Sequence, residues 1–246
     1  MRDNKKLLGV LGGVGTVATA CFLTTLADMT RVDRDQDHLN YLCYNHAAIP
    51  DRTAYILDDT QPNPLPILID DVRWLESFGV DAIVIPCNTA HYFFDAIQDA
   101  VTVPIINILE ETVSYVLARY TGARTVGILA TSGTIGTNSY QLVCARHGLC
   151  ASVPDAANQA SLMAIIYEQV KAGLEPDVAE LVRITDAMLA GGCDAVILGC
   201  TELSVVYRAN KKAFHGLHVV DSTEALAART IELMGGTILE DTTCAE

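Results

Sequence analysis

The chain has 246 residues, 50% of them hydrophobic and 19% charged, with a formal net charge of -14 from 16 Lys and Arg against 30 Asp and Glu. So much apolar side chain excludes the disordered and low-complexity classes, because burial can offset the entropy of ordering the chain. The acidic excess speaks against nucleic acid or an anionic membrane as the main partner, and a site for an anionic ligand must be locally positive against the overall field.

The basic start at residues 1–6 runs into apolar residues 7–11, a weak imitation of a signal peptide. The glycines that end the run read instead as a strand-to-helix loop, so a cytoplasmic address is expected. No apolar run approaches the roughly 20 residues of a spanning helix. Residues 7–11 predict a strand closed by Gly12-Gly13-Val14-Gly15-Thr16, followed by a helix over 18–29, a strand over 39–45 and a polar turn over 46–53. Segment 66–78 is an amphipathic helix with Ile67, Leu68, Val72, Leu75 and Phe78 apolar. The β-branched run 81–86 is too short for a helix and suits a buried parallel strand. Then come a helix over 87–99, a strand over 103–109, a helix over 111–120, a strand over 125–130 and a loop over 131–134. Helices over 161–172 and 177–190, a strand over 195–199 and a helix over 223–234 complete the series. Such alternation predicts an α/β fold with parallel sheets flanked by helices.

The chain also repeats itself. Gly79-Val80-Asp81-Ala82-Ile83-Val84-Ile85-Pro86-Cys87-Asn88-Thr89 resembles Gly192-Cys193-Asp194-Ala195-Val196-Ile197-Leu198-Gly199-Cys200-Thr201-Glu202, and Leu8-Gly9-Val10-Leu11-Gly12 resembles Val126-Gly127-Ile128-Leu129-Ala130. Two matches in the same order predict two pseudo-symmetric lobes, residues 1–109 plus 218–246 and residues 110–217, with an active site in the cleft between them.

Eight cysteines, at 21, 43, 87, 144, 150, 193, 200 and 244, contain no C-x-x-C pair and suggest neither a metal site nor a disulfide framework. Cys21, Cys144, Cys150 and Cys193 are expected to be packing residues. Cys87 and Cys200 differ, because each ends a strand of the repeat and begins a helix. Ligands of parallel sheets bind at strand carboxyl ends, and a helix N-terminus favours thiolate. Two thiols facing one cleft can take a proton from one face of a carbon and deliver one to the other. For an amino acid the weakly acidic α-hydrogen then requires fixed donors and exclusion of water.

Gly12-Gly13-x-Gly15, Ile49-Pro50-Asp51-Arg52-Thr53, Pro86-Cys87-Asn88-Thr89-Ala90-His91 and Gly199-Cys200-Thr201-Glu202-Leu203 resemble the aspartate/glutamate racemase family, its aspartate racemase branch above all. Ala130-Thr131-x-Gly133-Thr134, Tyr167-x-x-Val170-Lys171-x-Gly173 and Val220-Asp221-Ser222-Thr223-Glu224 extend the resemblance over nearly the whole chain. The resemblance implies an amino acid racemase without cofactor or metal, acting on aspartate or on aspartate and glutamate, and a homodimer. It implies Cys87 and Cys200 as the acid/base pair, Cys87 serving the D-enantiomer and Cys200 the L-enantiomer. Arg52 and Lys171 would hold the substrate carboxylates. Asn88, Thr89, Thr131, Ser132, Thr134 and Thr201 would supply donors. Glu202 would meet the ammonium or tune Cys200, His91 would do either beside Cys87, and Gly12 and Gly13 would support the site. Val14 and Thr16 stand where the branch usually has Met and Pro, a departure that bears on side-chain specificity.

Competing readings are weaker. Gly12-Gly13-Val14-Gly15 lacks the full dinucleotide spacing. Among only five lysines, Lys171 alone is placed to hold pyridoxal phosphate. His215 and His218 have no partners for a metal and are expected at the surface, while Asp51 and Asp221 either orient loops or touch substrate. A decarboxylase of the arylmalonate type needs one thiol rather than two, and a hydantoin racemase leaves Arg52 and Lys171 without partners. A maleate isomerase, or a non-catalytic sensor of an acidic ligand, completes the alternatives.

Overall fold

The computed structural model describes residues 5–239 and contains two four-stranded parallel sheets. The first is built from β1 (Leu7–Gly12), β2 (Asn40–Asn45), β3 (Ala82–Val84) and β4 (Ile105–Ile106) in the order β2-β1-β3-β4. Its connections carry α1 (Thr16–Met29), α2 (Arg52–Leu57), α3 (Leu65–Ser77) and α4 (Phe94–Gln98). Helix α5 (Ile108–Arg119) leads into the second sheet of β5 (Thr125–Leu129), β6 (Cys150–Ser152), β7 (Ala195–Leu198) and β8 (Val219–Asp221), ordered β6-β5-β7-β8. Around it lie α6 (Ser132–Gly136), α7 (Ser139–Arg146), α8 (Ala156–Ala164), α9 (Val178–Ala190), α10 (Thr201–Ala209) and α11 (Ser222–Leu233). Each sheet therefore has strand order 2-1-3-4, and the sequence repeat is reproduced in register: Leu8 pairs with Ala82 and Val126 with Ala195.

Alternate residues of each strand serve opposite faces. Val10 and Val84 join Ile128 and Ile197 in one apolar core that runs between the sheets through Val113 and Val116 of α5 and Leu226 and Ile231 of α11. Ile83 and Leu11 face outward onto Leu68, Val72 and Leu75 of α3, and Val196 and Leu198 onto Leu181 and Ile184 of α9. The lobes are thus layered on a shared centre, which holds the strand ends of one opposite those of the other. No helix among the described residues is long and apolar enough to cross a membrane.

Several elements depart from expectation. The strand ending the second sheet, β8, pairs with β7, so the return to the first lobe expected at residue 218 comes only after Asp221, where α11 packs on α1 and α5. Residues 52 and 53, the end of the turn expected over 46–53, instead begin α2, because Asp51 caps its first turn by accepting from the Ala54 N–H at 2.8 Å. Continuous helix over 87–99 gives way to a 3-10 turn (Thr89–Phe93) before α4, since the tight Cys87 N–H to Ile85 carbonyl bond at 2.7 Å turns the chain at once. The strand expected over 103–109 is two residues long because Asn107 caps α5, accepting from Leu109 N–H at 3.0 Å. Of the cysteines expected to pack, Cys144 and Cys193 are buried, Cys21 is half-buried and Cys150 is exposed on edge strand β6; Cys244 lies outside the described residues. His215 and His218 are exposed.

Candidate active site

The central strands of both sheets end at one narrow cavity of about 10 Å³, little more than room for a water molecule. β1 delivers Val14 to it, β3 delivers Cys87, Asn88 and Thr89, β5 delivers Thr131, and β7 delivers Cys200, Thr201 and Glu202. The repeat found in the sequence thus places one buried thiol from each lobe in the same wall, Cys87 at 6% exposure and Cys200 at 4%.

Opposite charges stand beside the two sulfurs. Cys200 is the N-cap of α10, and its thiol donates to Glu202 Oε2 at 3.0 Å. Burial, then the Glu202 charge and this hydrogen bond, push the Cys200 thiol well above the usual range, with Lys171 opposing. Beside Cys87 lies the guanidinium of Arg52, the first residue of α2. Arg52 is buried and donates to the Pro50 carbonyl at 3.0 Å, while its Nε has no partner. Burial alone would weaken its hold on the proton, but the Cys87 sulfur, Asp51 and Glu202 strengthen it. A buried guanidinium with an unused N–H at a cavity wall is equipped for an incoming carboxylate.

The second cation reaches across from the other lobe. Residues Ile165–Val170 form a π-helical stretch, and the Lys171 N–H continues it to the Ile166 carbonyl at 3.0 Å. Tyr167 and Lys171, four residues apart, share a face of this stretch. The Lys171 ammonium lies 3.2 Å from Asp51 Oδ2 and 3.9 Å from the Tyr167 ring centroid, and the Tyr167 hydroxyl donates to Asp51 Oδ1 at 3.1 Å. Burial would lower the Lys171 pKa, yet Glu202, Tyr167 and Asp51 raise it above the ordinary lysine value. Burial likewise opposes the ionisation of Asp51, and Lys171, the Ala54 N–H and Arg52 more than compensate. Burial moves the Tyr167 hydroxyl up to about 12, so it is a neutral donor.

Hydroxyls line the remaining wall. Thr89 Oγ1 lies 3.0 Å from the hydroxyls of both Thr131 and Thr134, which are 3.1 Å apart. Thr131 caps α6, accepting from Thr134 N–H at 3.2 Å. Thr89 and Thr131 face the cavity and Thr134 stands behind them. Gly15 has φ +125° and lies so close to Glu202 that a Cβ would come 2.8 Å from its Oε1, so only glycine lets this loop close over that carboxylate. Gly13 and Gly15 border an adjoining vestibule that shares Arg52, Lys171 and Glu202 with the cavity.

Besides Thr134, three further expected site residues lie off the cavity wall. Ser132 points away to α8, its hydroxyl accepting from Gln159 Nε2 at 3.2 Å and its N–H directed to the Met163 sulfur at 3.3 Å. His91 is buried among backbone groups: Nδ1 donates to the Cys87 carbonyl at 2.8 Å and Nε2 accepts from Ile108 N–H at 3.3 Å. Burial drives its pKa down to about 4, so it is a neutral brace for the Cys87 backbone and the start of α5. Gly12 lies behind the wall, where its carbonyl accepts from His46 N–H at 3.2 Å. Asp51, expected either to orient a loop or to touch substrate, completes the wall with Thr53 and Tyr167, for which no role was expected. Their signals were adjacency to Arg52 and the four-residue spacing from Tyr167 to Lys171. Among the described residues no cluster of three or more His, Cys, Asp and Glu is arranged to hold a metal ion.

Two buried thiols, two cations, two carboxylates and several hydroxyls around one narrow cavity are suited to moving protons at a bound, charged molecule. A family model described as Asp/Glu/hydantoin racemase matches residues 11–230. The broad specificity amino-acid racemase RacX of Bacillus subtilis is 26% identical over 233 residues, 92% of this chain and 96% of its own length. Aspartate racemase of Picrophilus torridus superposes with a TM-score of 0.79 and 31% identity, covering 95% of this chain and 96% of that one. An aspartate racemase homologue of Pyrococcus horikoshii superposes at 0.75 with 28% identity, covering 94% and 99%.

Proposed function

The chain belongs to the Asp/Glu/hydantoin racemase family and is an isomerase, and on that basis we propose that it racemises an acidic amino acid, aspartate or aspartate and glutamate, through Cys87 and Cys200. The observation that carries this reading is the pair of buried thiols from opposite lobes in the wall of one cavity, flanked by Arg52 and Lys171.

One thiol starts as thiolate and takes the α-proton, while the other starts as thiol and protonates the opposite face; the reverse reaction exchanges the roles. Arg52 stands beside the Cys87 sulfur, and Glu202 keeps the proton on Cys200. Arg52 and Lys171 hold the two carboxylates, and the Thr89 and Thr131 hydroxyls with Thr201 supply donors for the developing carbanion. Glu202 also lies where a substrate ammonium can meet it. Neither pyridoxal phosphate nor metal takes part in this scheme. The resemblance also carries a homodimer, and the exposed free thiol of Cys150 suits a reducing, cytoplasmic setting.

Both acidic and basic side chains line the wall, so the test is a panel of acidic, neutral and basic L-amino acids incubated with chelator and without cofactor, resolved by chiral chromatography. Formation of D-aspartate supports the proposal. A strict requirement for added pyridoxal phosphate or metal overturns it, and turnover confined to neutral or basic amino acids overturns the substrate assignment.

A further inference from the structure

Tyr140 on α7 is fully buried, borders no part of the cavity, and yet touches the segments that carry both thiols. Its hydroxyl donates to Asn88 Oδ1 at 2.6 Å, next to Cys87 and on the other lobe. Its ring lies against Gly199, next to Cys200, where a Cβ would come 2.7 Å from Cε2 and 3.3 Å from Cδ2. The other end of the Asn88 amide donates to Ser222 Oγ at 3.0 Å, and Ser222 in turn donates to the Leu198 carbonyl at 2.8 Å, at the end of β7. Contacts therefore close a ring: Tyr140 to Asn88, Asn88 to Ser222, Ser222 to Leu198, and Gly199 back to Tyr140. Asn88 and Ser222 are both buried, at 2% and 0% exposure. The amide is held by second-lobe Tyr140 at one end and by Ser222, first residue of α11, at the other. It cannot rotate without leaving a buried group unpaired.

We propose that Tyr140, with Ser222, is a positioning device that fixes the Cys87 segment relative to the Cys200 segment and so commits the carbanion to inversion. The inference rests on the two-thiol reading above. After one thiolate has taken the α-proton, the pair of electrons left on the carbon has two fates: return of a hydron from the same sulfur, which restores the substrate and carries deuterium in heavy water once that S–H has exchanged with solvent, or protonation from the opposite sulfur, which gives the enantiomer. The choice depends on how well the second thiol is placed, and small displacements matter in such transfers. Burial keeps the Tyr140 hydroxyl neutral and a donor. This also explains why the helix-bearing strand must end in glycine at 199: any larger residue would drive the ring away.

Tyr140→Phe tests the device, because it keeps the ring against Gly199 and removes only the hydroxyl. Reactions run in heavy water with L-aspartate, and deuterium at Cα is measured at early times in both the recovered L-enantiomer and the D-product. In the wild type deuterium enters the product, and the recovered substrate carries little. Tyr140→Phe should lower kcat about tenfold with KM within about twofold, the scale set by one unpaired buried partner. The ratio of deuterium in recovered substrate to deuterium in product should rise at least about fivefold, and Ser222→Ala should move it in the same direction. Folding is checked by circular dichroism, and Tyr140→Phe decides alone if Ser222→Ala does not fold. An unchanged ratio in folded Tyr140→Phe, whatever its thermal stability, overturns the proposal, since a side chain that only fills the core does not alter partitioning. Absence of Cα exchange in the wild type would instead overturn the racemase reading beneath it.

Discussion

Glu202→Gln removes the charge beside Cys200 while keeping the shape of the side chain and an oxygen able to accept from the thiol. The thiol donates to Glu202 Oε2 at 3.0 Å in a place where the carboxylate is only 5% exposed. A unit charge at that distance from a thiolate opposes it by about 5 kcal/mol at an effective dielectric constant of about 20. Lys171 offsets part of this, yet about 1.4 kcal/mol suffices for a tenfold change in ionisation. The assay is the alkylation rate of Cys200 against pH with a small neutral reagent, read by peptide mass spectrometry with Cys87 as the internal reference. At about pH 8 the variant's Cys200 should react at least about tenfold faster than that of the wild type. Kinetics carry a second sign. Because enantiomers have equal energy, kcat/KM stays equal in the two directions. KM and kcat for the direction beginning with the Cys200 thiolate should nevertheless fall together relative to the reverse, since that thiolate becomes easier to form and a weaker base. An unchanged alkylation profile would refute the assignment of Glu202 as the group that keeps the proton on Cys200.

Arg52→Ala should lower turnover on aspartate about 100-fold or more while circular dichroism shows a folded protein, because it removes the buried guanidinium that faces the cavity; near-normal turnover would show that the carboxylate is held elsewhere. His91 tests acid stability. Its folded pKa of about 4 lies below the ordinary value near 6.5, so its contribution is full above about pH 6.5 and is lost as pH falls toward 4, about 3 kcal/mol in all. Asp221, pushed up to about 7 by burial and then by Glu224, works in the opposite sense, so the informative quantity is the difference between wild type and His91→Asn in denaturant unfolding across that range. The variant should be less stable at neutral pH and should lack this acid-side loss; a parallel pH dependence would show that His91 is not buried neutral.

What the sequence revealed, it revealed through periodicity and repetition. The paired runs 79–89 and 192–202 recur as β3 and β7 with equivalent neighbours, because strand burial and register depend on local apolar pattern. The positions of Cys87 and Cys200 followed from the same logic, as both lie directly beyond strands buried on two faces. Elements with weak patterns were harder to see: β6 is three residues long at a sheet edge, and α10 carries Glu202, Ser204 and Arg208 among its apolar residues. Side-chain direction was harder still. Ser132 and His91 lie in the right motifs but turn away, since hydrogen bonds to Gln159 and to the Cys87 carbonyl decide their orientation. Contacts between lobes, such as Asp51 with Tyr167 and Lys171 or Tyr140 with Asn88, join residues far apart in the chain, and no local pattern announces them.

The most direct measurement is chiral product formation from L- and D-aspartate by Cys87→Ala, Cys200→Ala and the double variant, with folding checked by circular dichroism. Each direction needs one sulfur as base and the other as acid, so both single variants should lose conversion in both directions, though exchange at one face can survive. The double variant should be little worse than either, because the pair acts as a unit. Substantial racemisation by either single variant would contradict the two-thiol account and point to chemistry that uses one cysteine alone.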